Sequence, residues 1–252
     1  MSYTRITNFA LAICCSLLIC SALHAQGSAT KGSTAKQGSA AKGSASKQGS
    51  STKMEHETLF DGSSLDHFRG YKSDEIGAGW KIDGDALMFD GSGGGDLMTK
   101  KSYENFELTF DWKVTPGANS GIMYRVTTGD NAPYFSGPEY QILDDAKHRD
   151  GKNEMTSAGS LYALYKPENK KLSAVGEWNS GKIVHKGNMV EHWLNGSKVV
   201  STEIGSDDWK KRVGESKFKK WKKFGVSTSG HICFQDHGNK VWYRNIKIKQ
   251  MK

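Results

Sequence analysis

Gly137-Pro138-Glu139-Tyr140-Gln141-Ile142-Leu143-Asp144-Asp145-Ala146-Lys147-His148 reads as a short strand running into a loop. Side chains along a strand point alternately to its two faces. Glu139, Gln141 and Leu143 therefore share one face, and Tyr140, Ile142 and Asp144 the other. A carboxylate and an amide stand side by side, and Asp144, Asp145 and His148 follow where the strand gives way. Acids, an amide and an imidazole this close in a strand-rich chain suit a site. A solvated edge strand is the plainer alternative.

Short alternating runs surround this stretch, separated by Gly, Asn, Asp and Pro. Ala86–Phe89 follows the turn Asp83-Gly84-Asp85, and Phe106–Val114 alternates apolar with polar over its whole length. Gly121–Val126, Lys182–His185, Val190–Leu194, Lys198–Val200, Ile232–Gln235 and Val241–Ile248 continue the pattern. Many short strands with turn signals between them predict an all-β sandwich or jelly roll. Asn195-Gly196 predicts a tight hairpin. One helical excursion is expected over Asp207–Trp221, capped by Ser206 or Asp207, with Trp209, Val213 and Phe218 facing inward.

The start of the chain reads differently. Arg5, the apolar run Phe9–Leu23 and the small-residue end Ala22-Leu23-His24-Ala25 have the form of a secretory signal, residues 1–25, cut after Ala25. Export to the periplasm or the exterior follows, with no stable membrane insertion once the signal is removed. Lipidation at Cys20 is the second reading, disfavoured by the bulky Ile19 before it. Residues 26–53 repeat Gly, Ser, Ala, Thr, Lys and Gln with no large apolar side chain. They predict a disordered linker to a domain spanning 54–252.

The chain's net charge of +8 belongs to these first segments. Residues 1–53 hold Arg5, five lysines and no acid, so 54–252 carries 29 basic against 27 acidic residues, or +2. That balance argues against nucleic acid as a partner. Cys14, Cys15 and Cys20 also lie in the leader, leaving only Cys233. The domain then has no internal disulfide and no cysteine-based zinc spacing, and an apolar core must hold it.

Several motifs resemble a bacterial family of secreted domains, the 3-keto-disaccharide hydrolases. They begin with Leu59-Phe60-Asp61-Gly62, Asn119–Arg125 and Gly137–Asp144. Gly159-Ser160-Leu161-Tyr162, Gly176-Glu177-Trp178-Asn179, Val190–Gly196, Phe234–Gly238 and Arg244-Asn245-Ile246 complete the set, in family order. Val175 stands where the family usually has a proline. The resemblance implies a concanavalin A-like jelly-roll β-sandwich with sugar lying across a concave sheet.

Sugars are held by polar groups on rigid strands and by aromatic faces. Arg125, Gln141, Glu177, Trp178, Asn179, His192, Gln235 and His237 are the candidate substrate-binding residues. Trp178 is the expected sugar platform, and His192 could equally be a core histidine. Ordinary glycosidases need two carboxylates, yet Gln141 stands where a glucanase of this fold usually has the second. A 3-keto sugar poses a different problem. The ketone acidifies C2–H, so a base can remove that proton, and the C1 substituent then leaves with help from an acid. Glu139, Asp144 and His148 are the expected catalytic groups, and Arg125 the expected oxyanion partner. The residues single out no particular cofactor. A divalent metal ion is compatible with Asp144, Asp145 and His148 as neighbouring oxygen and nitrogen donors. A lectin-like carbohydrate-binding module without chemistry is the alternative function.

Overall fold

The computed structural model describes residues 56–252; the expected signal (1–25) and linker (26–53) lie outside them. Thirteen strands form two antiparallel sheets. In chain order they are β1 (Glu57–Phe60), β2 (Phe68–Gly70), β3 (Trp80–Asp83), β4 (Ala86–Phe89), β5 (Leu97–Thr99), β6 (Phe106–Val114) and β7 (Asn119–Val126). Then come β8 (Glu139–Leu143), β9 (Asn179–Lys186), β10 (Met189–Leu194), β11 (Ser197–Glu203), β12 (His231–Phe234) and β13 (Val241–Gln250). The larger sheet runs β11-β10-β9-β6-β13-β4-β3, with β1 also on β13, and the smaller runs β2-β5-β12-β7-β8. This is the expected all-β sandwich.

Alternation decides which sheet faces which. On β6, Phe106, Leu108, Phe110, Trp112 and Val114 are buried, and the residues between them are half-exposed. That one-sided pattern belongs to a sheet with a core face and a solvent face. Every residue of β7 and β8 is buried instead, so the smaller sheet is covered on both faces. Tyr140 points inward: its ring meets Phe110 edge-on at 5.4 Å and its hydroxyl donates to the Trp193 carbonyl at 3.0 Å. Glu139 and Gln141 consequently face outward. The free edge of β8 is closed by a loop that accepts from Gln141 N through Ser160 O (3.1 Å) and donates to Glu139 O through Tyr162 N (3.0 Å). No bare strand edge is left there for another chain to pair with.

Asn195 and Gly196 have φ of +47° and +79°, the left-handed pair that a two-residue hairpin between β10 and β11 requires. The expected helix is shorter than its pattern. α1 covers Asp207–Glu215, with the Ser206 Oγ accepting from Trp209 N at 3.2 Å. Ser216 then caps a new 3-10 turn over Lys217–Lys220, accepting from Phe218 N at 3.1 Å. Gly214 and Ser216 are poor interior helix residues, and the second cap restarts the chain in another direction. No helix among the described residues is long and apolar enough to cross a membrane.

His192 lies on the core face of β10. It is fully buried, with Nε2 3.1 Å from the Tyr124 hydroxyl and its ring 4.8 Å from that of Tyr140. The candidate assignment of His192 to substrate binding is therefore corrected: it holds the two sheets together. Burial pushes its pKa down to about 4, below the unfolded value of about 6.5. Its contribution to stability is complete above about pH 6.5 and is lost as pH falls towards 4. We expect the stability difference between the native chain and His192→Gln, measured by urea unfolding, to shrink by roughly 2 kcal/mol between pH 7 and pH 5. An unchanged difference would mean His192 is not buried neutral.

Candidate active site

Three adjacent strands carry the outward face of the smaller sheet. Gly121 on β7 is paired with Gln141 on β8, and its carbonyl accepts from Gln235 N at 2.9 Å just beyond β12. Gln141 and Gln235 thus stand on either side of Gly121. Asn119 stands two residues along the same strand, on the same face. Glu139 folds over Gly121 so closely that a Cβ added there would clash with its Oε1. Gly121 is the residue that gives the Glu139 carboxyl its place.

These groups line a cleft of about 300 Å³ with Asp96, Tyr134, Tyr162, Lys217, Asp236 and His237. Tyr134 and Tyr162 bring aromatic surface. The Lys217 ammonium lies 4.3 Å from the Tyr162 ring centroid, and the Tyr162 hydroxyl donates to Asp150 Oδ2 at 3.1 Å. Gln141 Nε2 donates to the Thr156 carbonyl at 3.2 Å, and Asn119 Nδ2 lies 3.4 Å from His237 Nε2. The side-chain oxygens of Asn119, Gln141 and Gln235 have no partner among the described residues. Buried amide oxygens are seldom left so, and hydroxyl donors of a bound sugar would satisfy them.

Electrostatics separate two carboxyls from the rest. Glu139 is 7% exposed. Burial raises its pKa to about 8, Lys217 opposes the rise, and Asp96 and Asp150 add to it. Glu139 is therefore mostly a neutral carboxylic acid at pH 7. Asp96 directly precedes β5, and its Oδ1 accepts from Asp236 N at 2.9 Å, while Asp236 Oδ2 accepts from the neighbouring Gly95 N at 3.0 Å. Burial raises Asp96 to about 6, helped by the Asp236 charge, so it is mostly ionised at pH 7. One acid and one base in a single cleft is the arrangement proton-transfer chemistry needs. Partial burial lowers the pKa of His237, with the charge of His148 adding to it.

The other candidate residues lie elsewhere. His148 sits at the rim, its ring 6.1 Å from that of His237 and its Nδ1 accepting from Asp150 N. The expectation of Asp144 as a catalytic group beside Glu139 is corrected: it does not line the Glu139 cleft. Its Oδ2 accepts from Gly117 N at 2.6 Å and its Oδ1 from Ala146 N at 2.9 Å, so it staples the loop. Asp145 is likewise engaged by Lys170 and Ala158 N. At the position considered for a metal, the Asp144 and Asp145 carboxylates accept from backbone amides and Lys170 and the His148 Nδ1 from Asp150 N, and the described residues contain no cluster of three such ligands.

Asp144, Glu177 and Asn179 share a separate cleft of about 220 Å³. Asn179 Oδ1 there accepts from Ser173 N and Asn195 Nδ2. Trp178 stacks between Lys113 and the Arg244 guanidinium, 4.1 Å from its ring, on the solvent face of the larger sheet. It is not a platform for anything in the Glu139 cleft. Arg125 is buried too, with Nε donating to the Ser227 carbonyl, and lines a third cavity. The cation in the Glu139 cleft is Lys217. The cleft residues not among the sequence candidates are Lys217, Asp96, Asp236, Tyr134 and Tyr162, contributed by loops or 3-10 turns, and Asn119 at the start of β7. The Gly93-Gly94-Gly95 run before Asp96 was the one available signal.

The family model for the 3-keto-alpha-glucoside-1,2-lyase-like domain matches residues 55–249. A 3-keto-disaccharide hydrolase of Bacteroides thetaiotaomicron is 36% identical over 224 residues, covering 76% of this chain and 77% of that protein. Two crystal structures from Parabacteroides distasonis, each provisionally described as a glycosyl hydrolase, share the fold. One aligns with a TM-score of 0.72 at 36% identity, over 78% of this chain and 94% of its own. The other gives 0.60 at 26%, over 78% and 100%.

The Gly121 requirement is testable. Gly121→Ala should remove activity and destabilise the native chain by about 1–3 kcal/mol, but cost much less in a Glu139→Ala background. Equal costs in the two backgrounds, measured by denaturant unfolding, would show that Glu139 does not lie over Gly121.

Proposed function

The chain belongs to the 3-keto-alpha-glucoside-1,2-lyase-like family, and from that premise we propose that it is an exported enzyme that cleaves 3-keto-glycosides or 3-keto-disaccharides by elimination and hydration. The observation that carries this reading is the pair of cleft carboxyls, Glu139 raised to about 8 and Asp96 to about 6. At neutral pH one holds a proton and the other has room for one.

The proposed steps balance on these two groups. The Asp96 carboxylate takes the proton from C2, which the neighbouring ketone acidifies. The electron pair moves onto the C3 oxygen, and the Lys217 ammonium offsets the charge that develops. As the pair returns, the C1–O bond breaks, and the leaving oxygen takes the Glu139 proton. Product and a C1=C2 enone now share the cleft, with Glu139 ionised and Asp96 protonated. Glu139 then takes a proton from water as the water oxygen bonds to C1, and Asp96, whose carboxyl proton exchanges with solvent while the enone is bound, delivers a proton to C2. The enzyme regains its starting state and the net reaction is hydrolysis. Release before hydration would leave a lyase, which accords with both words in the family and relative names.

The unpartnered oxygens of Asn119, Gln141 and Gln235 fit hydroxyl donors and would also serve the alternative, a binding module without chemistry. The two raised carboxyls favour the enzyme, because a lectin gains nothing from holding Glu139 neutral.

We expect cleavage of a 3-keto-disaccharide and none of the parent disaccharide, with one deuterium entering at C2 when the reaction is run in deuterated water. The pH–rate profile should be bell-shaped between about 6 and 8. Asp96→Asn and Glu139→Gln should each lower kcat by about 100-fold or more while binding persists. Binding with no turnover of either sugar would establish the lectin reading instead. Cleavage of the parent sugar without deuterium at C2 would require ordinary glycosidase chemistry.

A further inference from the structure

Arg125 is 1% exposed, and its Nη1 has no hydrogen-bond partner among the described residues. No carboxylate pairs with it among the described residues, where its side chain makes one hydrogen bond, from Nε to the Ser227 carbonyl. A buried charge without a counter-charge is costly. His185, whose titration the Arg125 charge influences, is kept neutral by burial and offers no negative charge. The backbone of Arg125 also has a φ of +58°, a left-handed conformation uncommon for a non-glycine residue and frequent at functional positions.

The surroundings have the same sign. Arg125 lines a cavity of about 550 Å³ with Lys210, Lys219, Trp209 and Phe224. Residues 207–223 hold eight Lys or Arg against three acids, although 54–252 is close to neutral overall. The concentration of positive charge therefore lies on one short excursion from the sandwich. That excursion also supplies Lys217 to the Glu139 cleft, so the 3-10 turn Lys217–Lys220 serves both places.

We propose that the Arg125 cavity binds the carboxylate or sulfate group of an acidic saccharide. The guanidinium supplies directional donors to an oxyanion and the two lysines supply charge. The cavity has room for more than a bare ion, and Trp209 and Phe224 give a sugar ring an apolar wall.

The test is an NMR titration of the full-length protein, reading the Arg125 Nε–H resonance assigned through Arg125→Lys. The additions are glucuronate, glucose 6-sulfate, inorganic sulfate and glucose. Saturable shifts with either acidic sugar, bound more tightly than inorganic sulfate and with glucose inert, are the expected result. The exposed pair Lys210→Gln and Lys219→Gln should together weaken that binding about tenfold and leave cleavage in the Glu139 cleft unchanged. If Arg125→Lys does not fold, this double variant keeps the test decisive: the arginine Nε–H signal that shifts with an acidic sugar in the native chain must shift less at the same concentration in the double variant. No shift at Arg125 overturns the proposal. So does equal binding of glucose, inorganic sulfate bound as tightly as the sugars, or shifts confined to the Glu139 cleft.

Discussion

The closeness of the Glu139 carboxyl to the bare Cα of Gly121 is the constraint on which the rest of the site depends. A side chain at Gly121 would push Glu139 off the sheet and towards water. Kept where it is, the carboxyl loses solvation, and its proton becomes hard to remove. Holding it there takes a strand that is covered on both faces. Tyr140 and Ile142 anchor β8 to the core, and the loop through Ser160 and Tyr162 closes its free edge. The inner face fixes the strand so that the outer face can carry a strained electrostatic arrangement.

The same logic explains why a neutral glutamic acid and an ionised aspartate can share one cleft. Glu139 lies among buried side chains and is paired with Met123 across the strands. Asp96 sits at a sheet end, where the Asp236 amide donates to it and Lys72 also favours its ionised form. The two environments push their pKa values apart, which divides the roles of acid and base without either residue leaving its strand end.

Much of this was legible in the sequence, and the reasons are physical. β6 and β10 carry one-sided alternation because one face meets water, and that period survives in the residues. β2 and β5 are three residues long, too short for any period to register. Glu139, Gln141 and Gln235 were readable because strand alternation assigns a face. Asp144 falls on the opposite face by the same alternation, and its carboxylate is saturated by backbone amides, a commitment that no residue pattern discloses. Trp178 is the expected sugar platform, yet it faces solvent on the other sheet. Asp96, Lys217, Tyr134 and Tyr162 reach the cleft through tertiary packing of loops, so their proximity to Glu139 had no signature in spacing.

The claim at the centre of this account is that Glu139 is a neutral acid in the resting protein. A titration of the full-length chain carrying carbon-13 at the glutamate carboxyls, with the Glu139 signal identified by its loss in Glu139→Gln, tests it directly. A neutral Glu139 gives a midpoint near pH 8. A midpoint near the ordinary carboxylate value of about 4.3 would mean that Glu139 is ionised throughout the working range and has no proton to give a leaving group.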